Sequence, residues 1–192
     1  NGSWFPWSER VNGNRPGEFA AAWRHVYDVF RQVGAANVSW VWCPNTSYTG
    51  STPLAGLYPG DAYVDWTCID AYNWGTNPAK PNKWQTLTQV LGPTYAEVQA
   101  IAPSKPVMLG EWGSTEFGGS KAQWLTDALT RELPTNFPAV RAAVWFDWNA
   151  DGMDWVIESS STATAAFAAG IRHSRYVGNE YANYGVSPIP AP

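Results

Sequence analysis

Short apolar segments alternate with helix-length amphipathic segments along most of this chain, and that alternation leaves few folds open. Residues 38–42, 67–72, 105–110 and 140–146 are apolar and of strand length. Residues 16–33, 121–133 and 160–171 instead repeat their apolar positions at helical spacing. In the first of these helices Phe19, Trp23, Val26, Tyr27, Phe30 and Val33 share one face, and Gly34 closes it. Serines stand ready to cap the last helix. Between the second and third strands, residues 84–91 and 94–101 read as two helical pieces divided by Gly92-Pro93, because a proline interrupts the hydrogen-bond ladder. Strand, helix, strand in succession pairs the strands in parallel. Four such units make half of a (β/α)8 TIM barrel. A complete barrel takes about 250 residues, and this chain has 192.

The competing topology is an open doubly wound sheet, and the motifs that usually accompany it are missing. No Gly-x-Gly-x-x-Gly or Gly-x-x-x-x-Gly-Lys-Ser/Thr follows a strand, so a nucleotide phosphate has no cradle. No Gly-x-Ser-x-Gly elbow points to a serine esterase. Twelve Lys and Arg against 16 Asp and Glu give a formal charge of -4, which argues against nucleic acid as a partner. A neutral polymer suits the composition better: 13 Trp, 9 Tyr and 7 Phe supply flat apolar faces, many of them near Gly, Asn and Pro in loops. No segment has the continuous apolarity of a membrane span, and secretion or an extracellular location is the expectation. Cys43 follows one strand and Cys68 begins the next, so the two thiols are expected at opposite ends of the sheet, free and buried. With two Cys and two His (His25, His173), both histidines on or beside helices, neither a metal nor an organic cofactor is expected.

The chemistry centres on Glu111, at the end of the strand Pro106-Val-Met-Leu-Gly-Glu-Trp-Gly113. In a β/α barrel the C-terminal ends of strands carry the reactive groups, so a carboxylate there, beside an aromatic turn, fits a glycosidase nucleophile. A strand-end cap or ion-pair partner is the plainer role for the same residue. Tyr72 ends the preceding strand, where its hydroxyl could donate to Glu111. Trp4, Trp74, Trp112 and Trp145 are candidate sugar platforms, with core packing as their ordinary alternative. Asn73, Asn149 and Asp151 are candidate hydroxyl-binding groups in loops.

These segments, in this order, resemble the C-terminal part of the glycoside hydrolase family 26 catalytic domain. The similarity runs from Asn1-Gly-Ser-Trp-Phe-Pro-Trp7 through Asp70-Ala-Tyr-Asn-Trp74 and Leu109-Gly-Glu-Trp-Gly113 to Ala143-Val-Trp-Phe-Asp-Trp148. It implies a retaining (β/α)8 hydrolase of β-1,4-mannan, with β-1,3-1,4-glucan as the alternative substrate. Glu111 matches the nucleophile, Tyr72 its hydrogen-bonding tyrosine, and Trp4 and Trp145 the substrate aromatics. The family's acid/base belongs to a His-Glu pair just ahead of the Asn-Gly-x-Trp segment, and these 192 residues contain no such pair. Glu9 and Glu116 are the nearest carboxylates to the matching segments, and neither stands in the acid's place. An N-terminal half of the same barrel is therefore the expected partner, and the chain alone is expected to be weakly active or to act only in carbohydrate binding. Residues 1–176 are assigned to the barrel and 177–192, rich in proline, to a tail or linker.

Overall fold

A computed structural model describes residues 1–77 and 83–176; the tail proposed for 177–192 lies outside the described residues. Four parallel strands form one sheet in sequence order: β1 (Val41–Trp42), β2 (Trp66–Asn73), β3 (Val107–Ser114) and β4 (Val140–Trp145). Five helices accompany them: α1 (Glu18–Gln32), α2 (Leu87–Ile101), α3 (Lys121–Asp127), α4 (Leu133–Asn136) and α5 (Ser161–Gly170). A parallel sheet in strict sequence order with helical crossovers is the architecture of part of a (β/α)8 barrel.

Alternation along the strands decides which face is core. On β2, Thr67, Ile69, Ala71 and Asn73 are fully buried beneath the helices, whereas Trp66, Cys68, Asp70 and Tyr72 lie on the opposite face. Ile69, Ala71, Val107, Leu109 and Trp112 of the sheet pack with Leu87, Leu91 and Val98 of α2, Trp124 and Leu125 of α3, and Ala163 of α5. Each large side chain so buried contributes about 1.5–3 kcal/mol.

The helix between β2 and β3 differs from expectation, because α2 is one continuous helix with Pro93 inside it. Its start is strongly specified: Thr86 Oγ1 accepts from Gln89 N and Gln89 Oε1 accepts from Thr86 N, a complete capping box. Gly92 just before the proline has no Cβ to clash with the pyrrolidine ring, which removes the main steric reason for ending a helix there. The helix after β3 begins at Ser120, whose hydroxyl accepts from Gln123 N, and continues from α3 through a π-helical turn (Ala128–Glu132) into α4.

The apolar face of α1 is only half used. Trp23, Tyr27 and Phe30 gather around Trp40 with ring centroids 5.9, 5.2 and 5.2 Å away. Val26 is 46% and Val33 74% exposed, and on the far edge of the sheet Val144 is 50% exposed. Apolar surface on both flanks is what a sheet cut from a closed barrel leaves uncovered.

The cysteines depart from expectation altogether. Pairing of Trp42 with Thr67 brings the next residues of the two strands, Cys43 and Cys68, side by side, and they form a disulfide. The expectation of free thiols assumed a full strand over residues 38–42 beside 67–72, whereas β1 is only Val41–Trp42 and pairs with the first two residues of β2, which sets the end of β1 level with Cys68. A peptide map of the protein without reductant is expected to contain a Cys43–Cys68 linked pair. Recovery of both residues as alkylated thiols from non-reduced protein would contradict the pairing.

Candidate active site

Glu111 reaches the open face of the sheet through an irregularity in β3. Ile69 pairs with Leu109, but the next rung pairs Asp70 with Glu111, so Gly110 is an extra residue on β3. With no such irregularity Gly110 would face Asp70 and Glu111 would point into the helices. Space requires glycine here: an added Cβ would stand 2.4 Å from Cys68 Sγ and 3.1 Å from Asp70 Oδ1. The bulge restores Glu111 to the same face as Asp70 and Tyr72.

There the Tyr72 hydroxyl donates to Glu111 Oε2 at 2.6 Å. Burial, reinforced by the hydrogen bond to Glu111, raises the Tyr72 phenol above its ordinary range, so it stays a proton donor. Asp70, the register partner of Glu111 on β2, has its Oδ1 3.2 Å from Cys43 Sγ. Burial first, and the charge of Glu111 second, push its carboxyl up to about 7.

Aromatic rings enclose Tyr72 and Glu111. Tyr72 is 4.9 Å from Trp155, 5.7 Å from Phe146 and 6.0 Å from Trp74, and Trp74 stands edge-on to Trp155 at 5.0 Å. They share a cleft of about 790 Å³ with Glu111, Trp4 and Asp151. Asp151 is at the rim in the left-handed region, with φ of 57°.

A polar clamp behind the cleft holds the loop that carries Trp155. Lys121, fully buried, donates its Nζ to the carbonyls of Asp154 and Val156 (3.0 Å for the latter) and to Ser159 Oγ at 2.7 Å. The Asp154 carboxylate accepts from the Thr115 hydroxyl and the Glu116 amide. Glu116 accepts from Ser159 Oγ, Ser160 Oγ and the Lys121 amide. The loop after β3 and the loop after β4 are thus fastened to each other, which fixes Trp155 against Tyr72.

Of the residues singled out by sequence, Glu111, Tyr72, Trp4, Trp74 and Asp151 come together in this cleft. Trp112 and Trp145 do not. They pair in register on the helix face, their rings 5.0 Å apart, and pack against Trp124; Phe146, the next residue, takes the position on the cleft. Strand parity is the reason: one residue along a strand reverses the side chain. Asn73 is fully buried, binding Ser114 Oγ and the amides of Gly75 and Gln85. Asn149 is exposed and accepts from the Val156 amide, shaping its loop instead of lining the cleft. Glu9 is buried and accepts from Gly17 N at the start of α1, and Glu116 is committed to the clamp, so neither is a spare acid. Asp70, Phe146 and Trp155 escaped sequence reasoning; spacing of two from Tyr72 could have flagged Asp70, but nothing local marks Trp155.

Residues 1–109 match the profile of glycosyl hydrolase family 26. The chain belongs to that family. A curated relative, Endoglucanase H of Acetivibrio thermocellus, is 44% identical over 176 residues, 89% of this chain and 19% of that protein. Among solved structures, the catalytic domain of the Bacillus sp. JAMB-750 GH26 endo-β-1,4-mannanase superposes with a TM-score of 0.69 at 22% identity, over 92% of this chain and 48% of that one. A modular endo-β-1,4-mannanase of Cellulomonas fimi gives 0.68 at 24% identity, over 100% and 43%. The chain therefore spans less than half of these family 26 structures, and about a fifth of the curated relative. The profile match ends just before Glu111.

The raised Asp70 carboxyl makes a thermodynamic prediction. Its folded value of about 7 exceeds the ordinary 3.8, so the folded state binds the extra proton and stability falls as pH rises between those values. Replacing Asp70 with Asn removes this dependence. The gap in melting temperature between Asp70→Asn and the parent is expected to widen in the variant's favour from pH 4 to pH 8, and a gap that does not change with pH would count against the burial assigned to Asp70.

Proposed function

We propose that this chain is the nucleophile-bearing part of a retaining endo-glycosidase acting on a β-1,4-linked polysaccharide, with mannan as the leading substrate. The observation that carries it is the exposed Glu111 carboxylate, held by the Tyr72 hydroxyl at 2.6 Å in an aromatic cleft. In this reading one Glu111 oxygen attacks the anomeric carbon of a sugar resting among Trp74, Trp155 and Phe146. A carboxylic acid from another part of the protein protonates the departing glycosidic oxygen and later removes a proton from the water that frees the sugar from Glu111. The Tyr72 hydrogen bond orients the nucleophile and spreads its charge before attack. Asp151 and Trp4 would contact the chain along the cleft.

The uncovered flanks at α1 and β4 support a partner that completes the barrel, an N-terminal portion of the same domain bringing the acid. Solved mannanases with this fold support mannan. A second reading, β-glucan including the mixed 1,3-1,4 type, is favoured by the 44% identity to a protein named endoglucanase.

Hydrolysis of mannan, mixed-linkage glucan and a soluble cellulose derivative by the full-length protein separates these. Mannan is expected to be cleaved fastest, and release of sugar from glucan alone would move the assignment to the second reading. Glu111→Gln is expected to abolish turnover while retaining oligosaccharide binding. Tyr72→Phe is expected to lower kcat by about 10- to 100-fold with KM little changed, since the lost bond acts on the nucleophile. Turnover undiminished in Glu111→Gln would exclude it as the nucleophile, and a polysaccharide bound but never cleaved by the parent would leave a carbohydrate-binding role.

A further inference from the structure

The aromatic wall of the cleft continues beyond the group around Glu111. Trp4 and Tyr48 stack on each other, ring centroids 6.3 Å apart and 24° from parallel, with 55% and 48% of their surface exposed. Both border the same cleft as Glu111, and among the described residues neither ring touches the group formed by Tyr72, Trp74, Phe146 and Trp155. Two aromatic surfaces separated along one cleft suit two different units of a polymer.

An exposed ring on a loop is usually free to move, but the backbone beneath Tyr48 is fastened on several sides. Ser47 N donates to Thr94 Oγ1 at 2.8 Å and Ser47 Oγ to Glu97 Oε2 at 2.9 Å, which ties the loop to α2. Tyr48 N donates to Ser51 Oγ at 3.2 Å, and Thr52 N to the Asn1 carbonyl at 2.8 Å, which ties it to the segment bearing Trp4. Holding an amphipathic ring in water by this many bonds serves a ligand, because the ordering entropy is then spent before binding. Gln89 of α2 lines the same cleft. Its carboxamide oxygen is taken by the Thr86 amide, and among the described residues its NH₂ group has no hydrogen-bond partner, which leaves it for a ligand oxygen.

We propose that Tyr48, stacked on Trp4 in the cleft that Gln89 also lines, is the platform of a distal subsite that binds a β-linked hexose unit remote from the bond being cleaved. This rests on the glycosidase reading above and extends it: the chain would favour long oligosaccharides over short ones. Stacking uses the apolar face of the sugar ring, which β-linked mannose and glucose both present, so the subsite adds grip on chain length without choosing between the two.

The test uses the full-length protein in a Glu111→Gln background, titrated calorimetrically with a trisaccharide and a hexasaccharide of each series, β-1,4-mannose and mixed-linkage glucose. Tyr48→Ala is expected to weaken hexasaccharide binding by roughly three- to tenfold, one aromatic contact, and to leave the trisaccharide unchanged. Tyr48→Phe, which keeps the ring and the fold, is expected to bind both like the parent. Equal loss for short and long oligosaccharides, or no loss at either length, overturns the subsite while leaving the glycosidase reading intact. Failure of the parent background to bind any oligosaccharide, with no hydrolysis by the unmutated protein, overturns both.

Discussion

One residue of backbone, the bulge at Gly110, decides which way the centre of this molecule faces. Up to Ile69 and Leu109 the two middle strands keep a plain alternation, with apolar residues turned into the helices. The extra residue inverts the phase of β3, so that Glu111 leaves the core and Trp112 enters it. Glycine is required because the disulfide and Asp70 crowd the spot where a Cβ would stand. Downstream features follow from that inversion: the 2.6 Å bond from Tyr72, the burial of Trp112 against Trp124, and the pairing of Trp145 with Trp112 on the same helix face.

The parts of the fold written in period and composition were legible in advance. Helical spacing located α1, α3 and α5, and the apolar runs located β2, β3 and β4 within a residue or a few. Glu111 and Tyr72 could be paired because each ends a strand, and strand ends in parallel neighbours lie at one level. What sequence did not reveal depends on register. Assigning Trp145 to the cleft instead of Phe146 is an error of one residue in parity, and local pattern contains no phase reference for β4 until it is paired with β3. The disulfide was missed for the same reason, since the level of Cys68 against Cys43 depends on where β2 begins. Pro93 misled because the rule for proline is local, whereas a full capping box and the packing of Leu91 and Val98 hold α2 together across it. Trp155 belongs to an irregular loop whose course is set by the Lys121 clamp, a tertiary arrangement with no trace in spacing.

Electrostatics and packing support one another around Glu111. Burial, with the charge of Glu111 beside it, raises Asp70, and burial keeps the Tyr72 proton in place; that proton in turn holds the Glu111 carboxylate. The clamp supplies rigidity from behind, with a buried lysine satisfied by carbonyls and a hydroxyl and two acidic side chains sharing its loop. The uncovered faces of α1 and β4, and coverage of less than half of the family 26 structures it resembles, fit a unit that works inside a larger barrel.

The central claim, that Glu111 attacks the sugar, is tested most directly by trapping the covalent intermediate. The full-length protein would be incubated with a 2-deoxy-2-fluoro mannoside bearing a good leaving group, digested, and its peptides weighed. One added fluorosugar is expected on the peptide containing Glu111, absent when Glu111 is replaced by Gln. A fluorosugar on a peptide lacking Glu111 would contradict it.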